Sequence, residues 1–343
     1  MKLGFWNFYP FYNGNRMFTD SYSPIGDDLA YSTVYLGKRL RALGHQPATL
    51  DMEDLASFDA AIFFDHPTFL NPKFRRLRAL DTKLYLFLAE NAAMRPDNYW
   101  RFNHAPFEKV FTWNPQWVDN KKYFKSFLTL RIPDNFRINP DEKLKFCVTI
   151  ASQKYSSHPK EIYSERVRII RWFEREHPSE FDLYGTCWDR LYFTGKLARL
   201  NLLLERVYRA FPKTFHCRRF PSHRGTVNSK NATMRHYKFA VCYENSVFPG
   251  YVSEKIFDGL FAGCIPIYLG APDITDYIPP DVFIDRRNFN SNEELYRYLV
   301  NMPQAEYERY LDEIESFVRG EQIKPFGPES LTNLILKQIV ESK

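Results

Sequence analysis

Residues 237–270, YKFAVCYENSVFPGYVSEKIFDGLFAGCIPIYLG, constrain the fold of this chain more than any other stretch. Tyr237, Phe239, Val241 and Tyr243 alternate with Lys238, Ala240 and Cys242, the period of a strand rich in aromatic and β-branched residues. A polar loop with Glu244, Asn245 and Ser246 follows and closes on Pro249-Gly250. Ser253 is placed to cap a helix that begins at Glu254. Ile256, Phe257, Leu260 and Phe261 give that helix one apolar stripe, and Gly263 ends it as a glycine beyond the last turn. Residues 265–269 are a short apolar run of buried-strand length. A strand–helix–strand unit of this size is a parallel crossover. Its polar loop therefore lies at the carboxyl end of a strand, where open α/β sheets bind ligands. Lys255 sits in the first turn, where a cation opposes the helix dipole. Either an anion binds there, or the lysine is solvated and paired with Glu254 or Asp258; the residues alone leave both open.

The rest of the chain extends the same alternation. Strands are expected at 3–8, 47–50, 60–64, 84–88 and 109–113, with helices at 27–43, from Asn71-Pro72 onward, and near 98–102. Leu29, Leu36, Leu40 and Leu43 share the inward face of the 27–43 helix. Residues 132–143 are polar, proline-containing and without period, and read as a linker. A second α/β region then begins, with strands at 146–150, 181–184 and 282–284 and an arginine-bearing helix at 165–174. The last helix, 328–340, turns Leu331, Leu334, Ile335 and Ile339 inward. The expected division is 1–143, 144–318 and a helical segment 319–343 that returns to the first domain. With 343 residues there is room for two cores.

Charge and motifs narrow the chemistry. The net charge of +6 suits an anionic ligand or an anionic membrane surface. No zinc-finger spacing or aromatic-interleaved basic groove points to nucleic acid. Basic residues crowd a segment at 187–223: Arg190, Lys196, Arg199, Arg206, Arg209, Lys213, Arg218 and Arg219. That segment is read as helical, either a solvated face or a docking surface for an anionic membrane or acceptor. The five cysteines, Cys147, Cys187, Cys217, Cys242 and Cys264, are odd in number and widely spaced, which suits reduced, buried thiols. The start MKLGFWNF lacks the apolar region of a signal peptide, and no run reaches transmembrane length. A trimmed membrane anchor stays open. P-loop, GxGxxG, GxSxG and HExxH motifs are absent. No metal clamp is found, and an anion site of Lys, Arg and helix N-termini is the remaining option.

The opening stretch resembles the signature of the α-1,3/1,4-fucosyltransferase family, glycosyltransferase family 10, which reads approximately YKF-x4-ENS-x4-YV[ST]EK followed by a helix and a [VI]P[IV]-x2-G ending. RGTVNSKNATMRHYKF upstream and YIPPDVFIDRRNF downstream are also similar to the family. The match is strong over 224–289, moderate over 146–185 and weak in the amino-terminal half. The resemblance implies a GT-B architecture of two Rossmann-like domains facing across a cleft. It implies inverting transfer of L-fucose from GDP-fucose to a hydroxyl of an oligosaccharide or lipid-linked glycan acceptor. No cofactor is required, and a divalent metal could stimulate without a dedicated site. By the same resemblance, Lys255 contacts the diphosphate, Glu254 the ribose or fucose hydroxyls, and Asn245 and Tyr251 line the donor pocket. Arg166 is the phosphate-binding arginine, with Arg168 as its neighbouring alternative, and Lys230 belongs to the donor side. Glu90 takes the place of the general base; Asp65 and His66 are the second choice for base or acceptor contact. Tyr9, Tyr12 and Asn13, in the loop after the first strand, are expected to meet acceptor. The implied setting is a bacterial-type enzyme, cytoplasmic or peripheral on the cytoplasmic membrane face. Rival readings are a GT-B transferase of another nucleotide sugar and a non-catalytic glycan- or nucleotide-binding protein.

Overall fold

The computed structural model describes residues 1–21, 27–193, 197, 200–211 and 219–341. They form two compact units: Met1–Ile132 with Pro249–Val252 and Glu321–Lys343, and Pro133–Phe248 with Ser253–Gly320.

The first unit runs β1 (Lys2–Asn7), α1 (Tyr31–Ala42), β2 (Gln46–Thr49), β3 (Ala60–Phe64), α2 (Pro72–Ala79), β4 (Lys83–Leu88), β5 (Lys109–Thr112) and β6 (Tyr123–Lys125). Its six strands are all parallel, in the order β2-β1-β3-β4-β5-β6. The reason is visible in β3 and β4, which are apolar on both sides, as a sheet covered on both faces requires. Ala60, Ile62, Tyr85 and Phe87 enter one core with Leu36 and Leu40 of α1. Ala61, Phe63, Leu84, Leu86 and Leu88 enter the other, with Phe74 and Leu77 of α2. The α2 helix opens at Asn71-Pro72 as expected, and the Asn71 side chain caps it, accepting from the backbone N–H of Lys73 and Phe74. Strand order reverses between β1 and β3, so the loops after β1, β3 and β4 gather at one end, beside the switch point.

Three local expectations change, and one strand is added. The α1 helix starts at Tyr31; residues 27–30 are turns and Asp28 is left-handed. Leu43 is its C-cap and is half exposed, so only Leu36 and Leu40 of the expected stripe are fully buried. In place of a helix at 98–102 there are two 3-10 turns, Pro96–Tyr99 and Arg101–His104. There the buried side chains of Asn98 and Asn103 bond backbone carbonyls, competing with a helical ladder. The three-residue β6 is an edge strand too short for a periodic signal.

The second unit runs β7 (Lys145–Ile150), α3 (Tyr163–Glu176), β8 (Phe181–Tyr184), α4 (Asn201–Ala210), α5 (Lys230–Met234), β9 (Tyr237–Tyr243), α6 (Glu254–Phe261), β10 (Ile265–Leu269), β11 (Ile284–Asp285), α7 (Asn292–Val300) and α8 (Gln304–Arg319). Its five parallel strands lie in the order β11-β10-β9-β7-β8, with β9 central and covered on both faces. Gly263 follows α6 in the left-handed region at φ 66°, the turn that sends the chain into β10. Cys147, Cys187, Cys242 and Cys264 are free thiols, three of them buried. In the basic 187–223 segment, α4 is the α-helix among the described residues; Lys196, Arg199, Lys213, Cys217 and Arg218 lie outside them, as do residues 22–26 of the loop after β1. The chain ends with α9 (Pro328–Ile335) and a π-helical turn, Leu336–Val340. There Leu331, Ile335 and Ile339 bury into the α1 face of the first unit.

Candidate functional site

In the second unit, the β9–α6 connection assembles a cluster of charge. Glu244 leaves β9 fully buried, and its carboxylate accepts from the Ser253 backbone N–H at 2.7 Å and the Ser253 hydroxyl at 2.5 Å. The Ser253 hydroxyl is therefore not the expected helix cap: the more demanding partner is the buried carboxylate, and α6 begins without a side-chain cap. Lys255 Nζ donates to Ser253 Oγ at 2.9 Å, to Glu254 Oε1 at 3.2 Å and to Glu244 Oε2 at 3.4 Å. Lys230, from α5, pairs with Asp258 on the next turn of α6 at 2.7 Å. Asp258 is thus the partner of Lys230 rather than of Lys255.

Arg166, on the buried side of α3, donates Nη2 to the carbonyls of Tyr243 and Glu244 at 2.7 and 3.1 Å. Among the described residues, its Nε and Nη1 make no hydrogen bond. The Asn245 backbone carbonyl is held by Ile162 at 3.2 Å, and Ser246 bridges Glu161, so the loop after β9 is pinned to the start of α3.

Three cations and three carboxylates face one another here, and the balance shapes their ionisation. Burial opposes the charge on Glu254, but Lys255 and Lys230 outweigh it and hold its carboxyl down at about 2. Burial likewise opposes the Lys255 and Lys230 charges, and the surrounding carboxylates raise both above the ordinary lysine value. Burial raises Glu244 and lowers Arg166, neither fully compensated. A cluster with matched charge beside a helix N-terminus can receive an anion by exchanging a carboxylate partner for it.

In the first unit, Glu90 follows β4 at the carboxyl end of the sheet. Its backbone is fixed from β3. The buried Asp65 Oδ1 accepts from the Ala89 N–H at 2.8 Å, the Glu90 N–H at 3.1 Å and Asn98 Nδ2 at 2.7 Å. Asp65 is left-handed at φ 65°, the turn that directs it back toward β4. Tyr9 donates its hydroxyl to Glu90 Oε1 at 3.5 Å; burial, then the nearby Glu90 charge, raises its pKa. Asp65 therefore acts on the Glu90 backbone, and burial shifts its own pKa up.

His66 is 1% exposed inside a box of Phe69, Phe74 and Phe107 rings, and its Nδ1 accepts from the Thr68 N–H. Tyr12 is packed into the α1 core, while Asn13 is exposed. Pro249–Val252 belongs to the first unit, where the Tyr251 ring meets Trp113 edge-on at 5.0 Å. One group near Glu90 escaped notice in the sequence. Arg95 is clamped by Asp97 at 2.7 Å and by the His66 carbonyl at 2.6 Å, and it stacks on the half-exposed Phe8 ring at 4.4 Å. The only sequence signal was a lone arginine in the polar run after β4. Among the described residues no group of three or more His, Cys, Asp or Glu is placed to hold a metal ion.

The chain is similar to known proteins in the same places. Residues 141–319 match the model of glycosyltransferase family 10 (fucosyltransferase), C-terminal part. An α-(1,4)-fucosyltransferase of Arabidopsis thaliana is 42% identical over 69 residues, 20% of this chain and 17% of that relative, so this chain spans a small part of its length. Over the whole chain, a crystal structure of an α1,3-fucosyltransferase superposes with a TM-score of 0.58 at 14% identity, covering 100% of this chain and 90% of the other. A crystal structure of α1,3-fucosyltransferase with GDP-fucose superposes with a TM-score of 0.50 at 15% identity, covering 91% and 81%. The fold is of GT-B type, and this chain belongs to glycosyltransferase family 10, the fucosyltransferases.

Proposed function

We propose that this protein transfers L-fucose from GDP-fucose, with inversion, to a hydroxyl of a glycan acceptor containing N-acetylglucosamine or glucose, forming an α-1,3 or α-1,4 linkage. The observation that carries the proposal is the Lys255–Glu254–Glu244 cluster at the start of α6, within the family-matched residues. Lys255 has its three protons directed at Ser253, Glu254 and Glu244, and the Glu244 contact is the longest. A diphosphate oxygen takes that third position. Arg166 adds its unused guanidinium edge and α6 adds its first N–H groups. Negative charge grows on GDP as the glycosidic bond breaks, and donors already oriented toward it lower the barrier. Glu254 and Asn245 are assigned to donor hydroxyls, and Lys230 holds α6 through Asp258.

The acceptor hydroxyl loses its proton as it attacks, so a carboxylate must stand within hydrogen-bond reach of it. Glu90 supplies it. Its backbone is fixed by Asp65, its side chain meets Tyr9, and the neighbouring Phe8–Arg95 stack offers a surface for an acceptor ring. Thermal shifts with GDP, UDP, CDP and ADP, together with transfer from labelled GDP-fucose, test the reading. Selective stabilisation by GDP is expected, with Glu90→Gln losing transfer and keeping the GDP response. Equal response to all four nucleotides, or loss of the GDP response in Glu90→Gln, overturns the assignment.

A further inference from the structure

We propose that α4 is a docking surface for an anionic lipid bilayer. The inner face of the helix is held by hydrogen bonds, and its outer face exposes leucines. On the inner face, Asn201 bonds both backbone groups of Phe193 at 2.8 Å, Glu205 accepts from the Tyr192 hydroxyl, and the buried Tyr208 hydroxyl accepts from the Leu191 N–H at 2.9 Å. On the outer face, Leu202 is 65% and Leu203 58% exposed. A surface helix ordinarily turns polar residues outward. Two adjacent leucines held in water by a well-bonded inner face mark a contact surface.

Charge identifies the occupant. Residues 187–223 contain eight Lys and Arg against two acids, a net +6 equal to that of the whole chain, so the remaining residues are neutral in sum. The one acid on α4, Glu205, is turned inward to Tyr192, while Arg206 and Arg209 are exposed beside the leucines. Apolar side chains flanked by guanidinium groups match the interface of an anionic bilayer: leucines enter the acyl boundary and arginines meet lipid phosphates. A second copy would cover the leucines but would oppose two patches of the same sign. Among the described residues no helix is long and apolar enough to cross a membrane, so the helix lies on the surface. This proposal does not rest on the transferase reading.

The test is co-sedimentation of the full chain with vesicles of phosphatidylcholine alone or mixed with phosphatidylglycerol. Binding to the mixed vesicles that weakens with salt is expected, with little binding to the neutral ones. The double variants Leu202→Ser/Leu203→Ser and Arg206→Gln/Arg209→Gln should each lower the partition ratio by on the order of tenfold or more, with circular dichroism and the GDP thermal shift unchanged. Sedimentation of both variants equal to wild type, or equal binding to neutral and anionic vesicles, overturns the proposal. So does a concentration-dependent dimer abolished by the leucine variant in a chain that binds neither vesicle.

Discussion

Replacing Glu254 by Gln should cost stability in a way that fades with acid. The side chain is 26% exposed and bonded to Lys255, and its folded pKa of about 2 lies well below the ordinary 4.5. A carboxyl depressed by folding stabilises the fold above its unfolded pKa and loses that contribution as pH falls through the folded value. The two values correspond to roughly 3 kcal/mol at pH 7, falling to roughly 1 kcal/mol near pH 3. Urea unfolding of wild type and Glu254→Gln at each pH, followed by tryptophan fluorescence, measures the gap. Groups remote from Glu254 titrate alike in both proteins and cancel, so the difference reports Glu254 together with Glu244 and Asp258, which feel its charge. A gap that stays constant from pH 7 to pH 3 would refute the claim that Lys255 and Lys230 hold Glu254 ionised.

Three further outcomes follow from the geometry. Lys255→Met should weaken GDP binding by about ten- to a hundredfold, the worth of one charge-assisted hydrogen bond, as read by calorimetry; an unchanged Kd removes Lys255 from the diphosphate site. Asp65→Ala leaves three donors without their acceptor and should destabilise by about 3 kcal/mol or more, whereas Asp65→Asn, which keeps a carbonyl oxygen, should be milder and lower kcat with GDP affinity intact. Equal stability loss in both, with kcat unaffected in the Asn variant, counts against a role in positioning Glu90. Gly250→Ala places a Cβ 2.4 Å from the Trp113 carbonyl oxygen at φ 75°, and should lower stability by about 1–3 kcal/mol in thermal unfolding; a neutral effect contradicts the observed turn.

Much of the fold was legible because it is written in short-range patterns. Ala60–Phe64, Phe181–Tyr184, Tyr237–Tyr243 and Ile265–Leu269 carry continuous or alternating apolar residues, and each forms a strand over the expected residues. The crossover from β9 through α6 to β10, and hence the position of the polar loop, follows from the same periodicities and from the chirality of the chain. Turn-rich segments were less legible. Residues 96–104 are governed by Asn98, Asn103 and their buried partners, and periodicity cannot register bonds of that kind.

Which groups meet in space was decided by tertiary structure. The sequence placed Lys255 at a helix start and left its partner open between solvent, Glu254 and Asp258. The fold paired Asp258 with Lys230, 28 residues away, and gave Lys255 the buried Glu244 as well as Glu254. It turned Ser253 from the helix end to that carboxylate and set Tyr251 against Trp113. The physical reason is the reach of the interactions. A strand or helix is selected by neighbours two to four residues apart. A buried charge takes whichever partner the packed elements bring within about 3 Å, and the cost of leaving it unpaired makes that choice decisive.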